Sequence, residues 1–213
     1  MRELDCYNQI LLTKTIENLR KNFFDAYYFF NREEVIKELK GIIQKDAVIG
    51  YGGSRTLEQL NFFEYFNKKD YPNLIDRRDS NLSFEQKREL QIKTLSSDIF
   101  LCSANAISQS GELVLIDKWG NRNAALTFGP KKRIVIAGVN KITPDLESAI
   151  ERAKNRASVL NNIRFNTKNP CVSGGKCFNC NNEERLCSVT TIISKCQPVR
   201  SIMVFLINEE LGF

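Results

Sequence analysis

Short apolar runs alternate with helical segments along most of this chain, and this alternation most limits the folds it can adopt. Buried strands are indicated at DAYYFF, AVIG, DIFLC, RIVIAGV and SIMVFLI, and helix-type spacing of apolar residues fills most of the intervals. Strands that alternate with helices usually pair in parallel, because each helix carries the chain back along the sheet. We therefore predict an α/β fold with a mainly parallel sheet. Its 213 residues suit a single domain.

Local signals place the first helices. Apolar spacing predicts a helix over residues 4–23 and another from about 54 to 66. Asn31 precedes two acidic residues and can cap the helix that runs through EEVIKELKGII. Ser83 and Gln86 have the spacing of a capping box and predict a further helix start.

The middle of the chain predicts a hairpin and one more helix. ELVLID and AALTFG flank the polar turn KWGNRN, which favours two antiparallel strands inserted into the fold. A short strand is also indicated around NLID. Further along, Thr143 is predicted to cap a helix, with Pro144 at its first position and Asp145 in its first turn.

Composition narrows the chemistry. The chain has no histidine, so Ser-His and Cys-His pairs and HExxH zinc sites are excluded. Its net charge of +6 is scattered, which suggests an anionic small molecule rather than a nucleic acid as partner. We find no secretion signal and no run long enough to span a membrane, so a cytoplasmic location without a membrane partner is expected.

A strand, three closely spaced glycines and a helix follow one another in AVIGYGGSRTLEQ. Main-chain amides at such a turn can bind phosphate, carboxylate or carbonyl oxygen. The alternative is a plain turn in which Gly52 and Gly53 supply positive φ and Ser54 or Thr56 caps the helix. Arg55 occupies the place where a dinucleotide fingerprint has its third glycine, and the chain shows no Walker lysine and no NAD or flavin motif.

Four cysteines gather in the loop PCVSGGKCFNCNNEERLC, within a predicted cysteine-rich loop over residues 168–197. Cys171, Cys177, Cys180 and Cys187 have the spacing C-x5-C-x2-C-x6-C. Four thiolates can bind one tetrahedral zinc ion or one iron–sulfur cluster, and the spacing does not decide between them. The alternative is four reduced thiols without a metal.

Polar residues at predicted strand ends supply further candidates, since α/β sheets gather ligand contacts there. Glu112 follows the turn Ser110-Gly111 and is either a nucleophile or general base, or an exposed residue at the start of a strand. The DRRD run at residues 76–79 offers two guanidinium groups for a carboxylate or phosphate, or is a solvated charge run.

Several long motifs occur in the same order as in the lactate-utilisation family, also called the LUD domain. They are GYGGSRTLEQL, IDR, SANAISQSGELVLID, WGNRNAALTFGPKK, VIAGVNKI, PCVSGGKCFNC, ERLC and NEELGF. The chain resembles this family from about residue 31 to its end, which leaves residues 1–30 as a helical extension. The resemblance implies a three-layer fold of the ribose-phosphate isomerase, glucosamine-phosphate deaminase and CoA-transferase type. It also implies a role in or near lactate oxidation to pyruvate, beside iron–sulfur and flavin partner subunits.

Matched residue by residue, the resemblance implies a binding site for a small carboxylate or phosphorylated ligand. The residues concerned are Gly50, Gly52, Gly53, Ser54, Thr56, Arg77, Asn105, Ala106, Asp117, Asn121, Arg122, Asn140 and Lys141, with Glu112 as the catalytic candidate and the four cysteines as metal ligands. Besides a component of a lactate-oxidising system, two other functions are considered. One is a stand-alone transferase or isomerase that uses Glu112, and the other is a non-catalytic electron-transfer or assembly subunit.

Overall fold

The computed structural model describes residues 3–213, so the first two residues of the predicted domain lie outside the described part. The helices are α1 Glu3–Lys21, α2 Arg32–Ile42, α3 Arg55–Gln59, α4 Phe62–Tyr65, α5 Phe84–Lys93, α6 Asn121–Thr127, α7 Leu146–Arg152, α8 Ser158–Arg164 and α9 Pro170–Gly174. The strands are β1 Asp25–Phe29, β2 Ile49–Tyr51, β3 Ile99–Cys102, β4 Ala106–Ser108, β5 Leu113–Asp117, β6 Lys132–Gly138, β7 Ile142–Thr143, β8 Val189–Ile193 and β9 Ile202–Ile207. A π-helix, Ala153–Ala157, joins α7 to α8.

The main sheet has five strands in the order β1-β9-β6-β3-β2, and all four pairings are parallel. Its strands are the five apolar runs that the sequence indicates, so the predicted α/β fold with a mainly parallel sheet is confirmed. Because the strands are parallel, the segments that follow β2, β3, β6 and β9 all leave the same edge of the sheet.

Alternation of side chains along β6 and β9 explains why these strands lie in the middle of the sheet. In β9, Met203, Phe205 and Ile207 pack on one face with α2 and α3, while Val204 and Leu206 pack on the other face with α1. Both faces of the sheet are therefore buried, which is why these strands read as continuous apolar runs.

A second, smaller sheet with the order β7-β4-β5-β8 packs on the face that also carries α1. Ile107, Leu113 and Leu115 pack towards the main sheet, whereas Val114 packs on the other side with Ala149 of α7. The layers are consistent with the three-layer fold that was expected. None of the helices in residues 3–213 has both the length and the apolar character that a membrane crossing requires.

The N-terminal segment is packed into this domain. Leu12 and Leu19 of α1 are fully buried, and β1 is an edge strand of the main sheet, paired with β9. The described part of the expected helical extension therefore contributes both a core helix and a strand.

The predicted hairpin around KWGNRN is wrong. ELVLID forms β5, but the chain then enters α6 instead of a second strand. Gly120 adopts φ 75°, and the carboxylate of Asp117 accepts a hydrogen bond from the amide of Asn123 at 2.9 Å, which starts the helix. The hairpin of this region is formed by β4 and β5, and Gly111, with φ 92°, lies in its turn.

Three other local predictions need correction. The helix expected over 54–66 is broken at Asn61, whose φ of 52° separates α3 from α4. Asp145 caps α7 by accepting from the amide of Ser148 at 2.7 Å, because Thr143 is held in β7 beside β4. NLID forms only an isolated bridge between Leu74 and β2.

The cysteine-rich segment over 168–197 is not a loop throughout. It contains helix α9 and strand β8, and β8 pairs antiparallel with β5 along its whole length. The other two predicted helix starts are confirmed, since Asn31 accepts from the amide of Glu34 and the capping box of Ser83 and Gln86 is present.

We expect Phe205→Ala to lower the free energy of unfolding by about 3–5 kcal/mol, because it removes a fully buried ring from β9, an interior strand of the main sheet. Tyr27 and Phe29 contact this ring at centroid distances of 5.9 and 5.0 Å. Urea denaturation measures the change. Phe128→Ala is the matched control, since Phe128 is 85% exposed and its loss should change stability by less than about 0.5 kcal/mol. Equal losses from the two variants would contradict this core.

Candidate functional site

A cleft of about 470 Å³ lies where the chain leaves the carboxyl ends of β2 and β3 and where the segment after β6 passes beneath. Part of its wall comes from the loop between β5 and α6, and part from α8. Eight of the predicted ligand-binding residues line it: Gly53, Ser54, Arg77, Asn105, Asp117, Asn121, Arg122 and Lys141. The structure therefore brings together residues that are up to 88 positions apart in the chain, from Gly53 to Lys141.

Arg122 is the most fully bonded side chain in the cleft. Its guanidinium forms an ion pair with Asp117 at 2.6 Å, and both side chains are almost completely shielded from water. It also donates to the carbonyl of Ser103 at 3.0 Å and to the side-chain oxygen of Asn105 at 2.8 Å. This one residue therefore fixes the loop after β3 against the loop after β5.

Of the three glycines in and after β2, Gly50 and Gly52 are required for space, and none is required for positive φ. None of Gly50, Gly52 and Gly53 has a backbone in the left-handed region. A side chain on Gly52 would come within 2.9 Å of the Arg122 side chain, and one on Gly50 would overlap Thr94. Gly53 is open, with only the Arg77 guanidinium near it, at 3.8 Å from the position of a Cβ.

The helix that follows these glycines is short. Ser54 caps α3, because its side chain accepts a hydrogen bond from the amide of Leu57 at 3.3 Å. A cap at Ser54 or Thr56 was one of the two interpretations of this turn. Within residues 3–213 the amides of Gly53 and Ser54 have no hydrogen-bond acceptor. Because α3 has only five residues, its dipole is weak, and the charge of the cleft comes mainly from side chains.

Lys141 lies at the floor of the cleft and is 4% exposed. Its ammonium donates to Thr56 at 3.0 Å, to Ser103 at 2.9 Å and to the carbonyl of Ala104 at 3.2 Å. Burial lowers the pKa of Lys141 to about 7, and the charges of Arg152 and Arg122 add to this effect. Lys141 thus joins the loops after β2 and β3 and places a titratable amine beneath the cleft.

Arg77 and Arg78 are adjacent in the chain but differ in their side-chain contacts. Its guanidinium lies 4.9 Å from the centre of the Tyr51 ring, and burial lowers its pKa. In residues 3–213 its side chain has no hydrogen bond and no ion pair, whereas Arg78 is paired with Asp76 at 2.6 Å. Of the two guanidinium groups in the DRRD run, Arg77 is the one available to a ligand in the cleft.

Other predicted site residues lie outside the cleft. Thr56 is fully buried beneath Lys141, and Ala106 is in the core of the second sheet. Asn140 accepts from the amide of Leu211 at 3.1 Å and so holds the segment after β9.

Glu112 does not line the cleft. Its carboxylate accepts hydrogen bonds from Ser108 and from Ser110, at 2.7 Å from the latter, in the turn between β4 and β5. Five positions along an extended strand separate it from Asp117, which is roughly 16 Å. This position gives Glu112 no contact with a ligand held by Arg77.

The four predicted metal ligands share a second, much smaller cavity. Cys171, Cys177, Cys180 and Cys187 all line it, together with Lys154 and several polar residues. No group of three or more Cys, Asp or Glu side chains in residues 3–213 has the arrangement of a metal site. Burial raises the pKa of the Cys171 and Cys187 thiols, and the nearby cysteines contribute to both shifts.

Comparison with known proteins identifies the family. The family model described as the LUD domain matches residues 12–207, which is most of the chain. This chain belongs to the LUD domain family. A crystal structure of a DUF162 family protein from Deinococcus radiodurans at 1.70 Å resolution is similar in fold, with a TM-score of 0.54 at 13% identity over 94% of this chain and 98% of that one. No curated protein matches the chain.

The LUD domain of this chain also carries cleft residues that sequence reasoning missed. Trp119, Phe165 and Arg164 line the cleft, and both aromatic rings are more than half exposed. Trp119 follows β5 in the polar turn KWGNRN, where an aromatic residue was the available signal. Phe165 and Arg164 gave no signal, because only the return of α8 brings them to this edge of the sheet.

We expect the stability of the wild type, relative to Lys141→Met, to rise between about pH 7 and pH 10. The folded pKa of Lys141 is about 7 and its ordinary value is 10.5, so over this interval the unfolded chain binds a proton that the folded protein does not. Unfolding free energies of both proteins, measured in urea across this pH range, give the difference.

Lys131→Met is the control for the pH series. The Lys131 side chain is 82% exposed and its pKa is raised by the hydrogen bond to Asp98, so this pair should show no gain in stability with pH. A difference between wild type and Lys141→Met that stays constant with pH would contradict the buried, proton-depleted lysine.

Proposed function

We propose that this LUD domain protein serves the oxidation of lactate to pyruvate as a component that binds a small anionic ligand, a carboxylate or a phosphate, in the cleft. Membership of the LUD domain family supports a lactate-utilisation-type protein. Iron–sulfur and flavin subunits are the partners that we propose for this role, as the resemblance to the lactate-utilisation family implies.

The observation that supports an anionic ligand is the guanidinium of Arg77, which has no hydrogen bond and no ion pair within residues 3–213. The two carboxylates closest to it in charge interaction, Asp76 and Asp117, are already bonded to Arg78 and Arg122. A partly buried cation without a counterion is unfavourable until an anion binds, because desolvation is not offset by pairing. Arginine also suits carboxylate and phosphate by its fork of donors.

The net charge of the residues that line the cleft also favours a negatively charged ligand. Six basic side chains and one acidic side chain line it. Arg122 is neutralised by Asp117, and Arg55 and Arg164 share the carboxylate of Glu58 at 2.8 and 2.5 Å. The remaining basic side chains, including Arg77, leave a positive potential that attracts anions.

We expect Arg77→Gln to weaken binding of the anionic ligand by about tenfold or more, since a hydrogen bond to a charged group contributes about 1.5–3 kcal/mol. Isothermal titration with lactate, pyruvate, inorganic phosphate and CoA measures the affinities. Arg88→Gln is the matched control, because Arg88 is exposed, makes no ion pair within residues 3–213 and does not line the cleft. Failure of all four ligands to bind, or unchanged binding by Arg77→Gln, would contradict the anionic site.

We also propose that the four cysteines bind one zinc ion. The donor set is that of a structural zinc site, and all four side chains line one cavity. Within residues 3–213 the four thiols do not have the arrangement of a metal site, so zinc binding would draw them together. Arg185 donates to the carbonyls of Cys180 and Cys187, at 2.6 and 3.0 Å, and so holds this segment near the cavity.

We expect anaerobically purified protein to be colourless and to contain about one zinc per chain, because four thiolates satisfy tetrahedral coordination. Elemental analysis and an absorption spectrum are the measurements. Cys180→Ser should lose most of the zinc, whereas Cys6→Ser, at an exposed position on α1, should keep it. A brown protein that contains iron, or wild-type protein without metal, would contradict the zinc site.

A further inference from the structure

The size of the cleft exceeds what a three-carbon acid fills. Its volume of about 470 Å³ lies within the range of roughly 300–1,000 Å³ that accommodates drug-sized ligands. Lactate or pyruvate bound at Arg77 would leave most of this space to water. The lining beyond Arg77 therefore indicates what else the ligand carries.

Aromatic rings form part of that lining. Trp119 is 53% exposed, and its indole meets the ring of Phe84 at 87° with a centroid distance of 5.3 Å. An edge contact of this kind leaves at least one indole face free of Phe84. Phe165 is also exposed, and the Arg164 guanidinium lies 5.2 Å from its centroid. The Lys118 ammonium lies 5.8 Å from the centre of the Trp119 ring. Exposed aromatic rings beside basic side chains suit stacking with a planar base.

Three side-chain amides line the same cleft without a partner. Gln91, Asn121 and Asn161 are half-buried, and in residues 3–213 none of their side chains makes a hydrogen bond. Each amide offers two donors and one carbonyl acceptor, which is the combination that reads the polar edge of a base or the hydroxyls of a ribose. A simple carboxylate can accept from the amide donors but offers no donor to the amide carbonyl oxygens.

We propose that the ligand of this cleft is a nucleoside phosphate, whose phosphate binds Arg77 and whose base stacks on Trp119. This inference rests on the proposed anionic site and extends it to a substrate or cofactor class. Arg77 accounts for the phosphate, Trp119 for the ring, and the three amides of the lining for the polar groups of the base or ribose.

Intrinsic fluorescence tests the proposal directly, because Trp119 is the only tryptophan in the chain. The full-length protein is titrated with AMP, adenosine, inorganic phosphate and lactate, with excitation at the red edge of tryptophan absorption. We expect AMP to quench the emission saturably and to bind more tightly than either adenosine or phosphate alone. Phosphate in excess should displace AMP.

Variants separate the two contacts, with affinities measured by isothermal titration. Trp119→Ala should weaken AMP by about tenfold and leave phosphate binding unchanged, since base stacking contributes about 1–3 kcal/mol. Arg77→Gln should weaken both ligands. Phe30→Ala, at an exposed aromatic residue outside the cleft, should change neither.

The outcomes distinguish this inference from the proposed function. Phosphate or lactate binding with AMP no tighter, and without quenching, overturns the nucleoside phosphate and leaves the anionic site standing. Adenosine binding as tightly as AMP overturns the role of Arg77 in holding the phosphate. Absence of binding by every ligand overturns both the inference and the anionic site.

Discussion

Arg122 and Asp117 form an ion pair that is almost closed to water, at the point where the two sheets of this protein meet. Placing two charges there is unfavourable unless the geometry is good and the remaining donors are also bonded. Here the guanidinium satisfies that condition through Ser103, Asn105 and the carbonyl of Ile116. Removing either partner would leave a buried charge, at a cost of about 3–5 kcal/mol. The loops of the cleft therefore depend on this pair for their relative positions.

The pair also determines which cation is free. Since Asp117 is paired with Arg122 and Asp76 with Arg78, the guanidinium of Arg77 has no counterion in the part of the chain that the structure describes. The helical segment from the π-helix through α8 links this cleft to the cysteine cavity. Ala157 and Asn161 face the cleft, while Ser158 and Asn162 face the cavity. The two candidate sites thus share one wall.

Much of the fold could be predicted because its signals are local or periodic. β9 is apolar at every position and β6 is apolar from Ile134 to Ala137, since both faces of the sheet are buried. The caps at Asn31 and Ser83 depend on neighbours within three residues. The hairpin prediction failed because AALTFG suits either a strand or a helix. The hydrogen bond from the Asn123 amide to the Asp117 carboxylate stabilises the start of a helix there.

Some residues of the candidate site could be predicted from the sequence, and others could not. Residues in long polar motifs, such as Arg77, Asp117 and Arg122, could be assigned to one site from the sequence. Glu112 was predicted beside them, but the length of β5 separates it from the cleft. Phe165 and Arg164 could not be found, since their position depends on the packing of α8 against the sheets. Nor does sequence spacing reveal that Lys141 is buried and fully bonded.

The most direct measurement is a crystal structure of the protein grown with AMP. The account predicts electron density for the phosphate within about 3 Å of the Arg77 guanidinium, with Arg122 still paired to Asp117. A phosphate bound elsewhere on the protein, with Arg77 in contact only with water, would contradict the account.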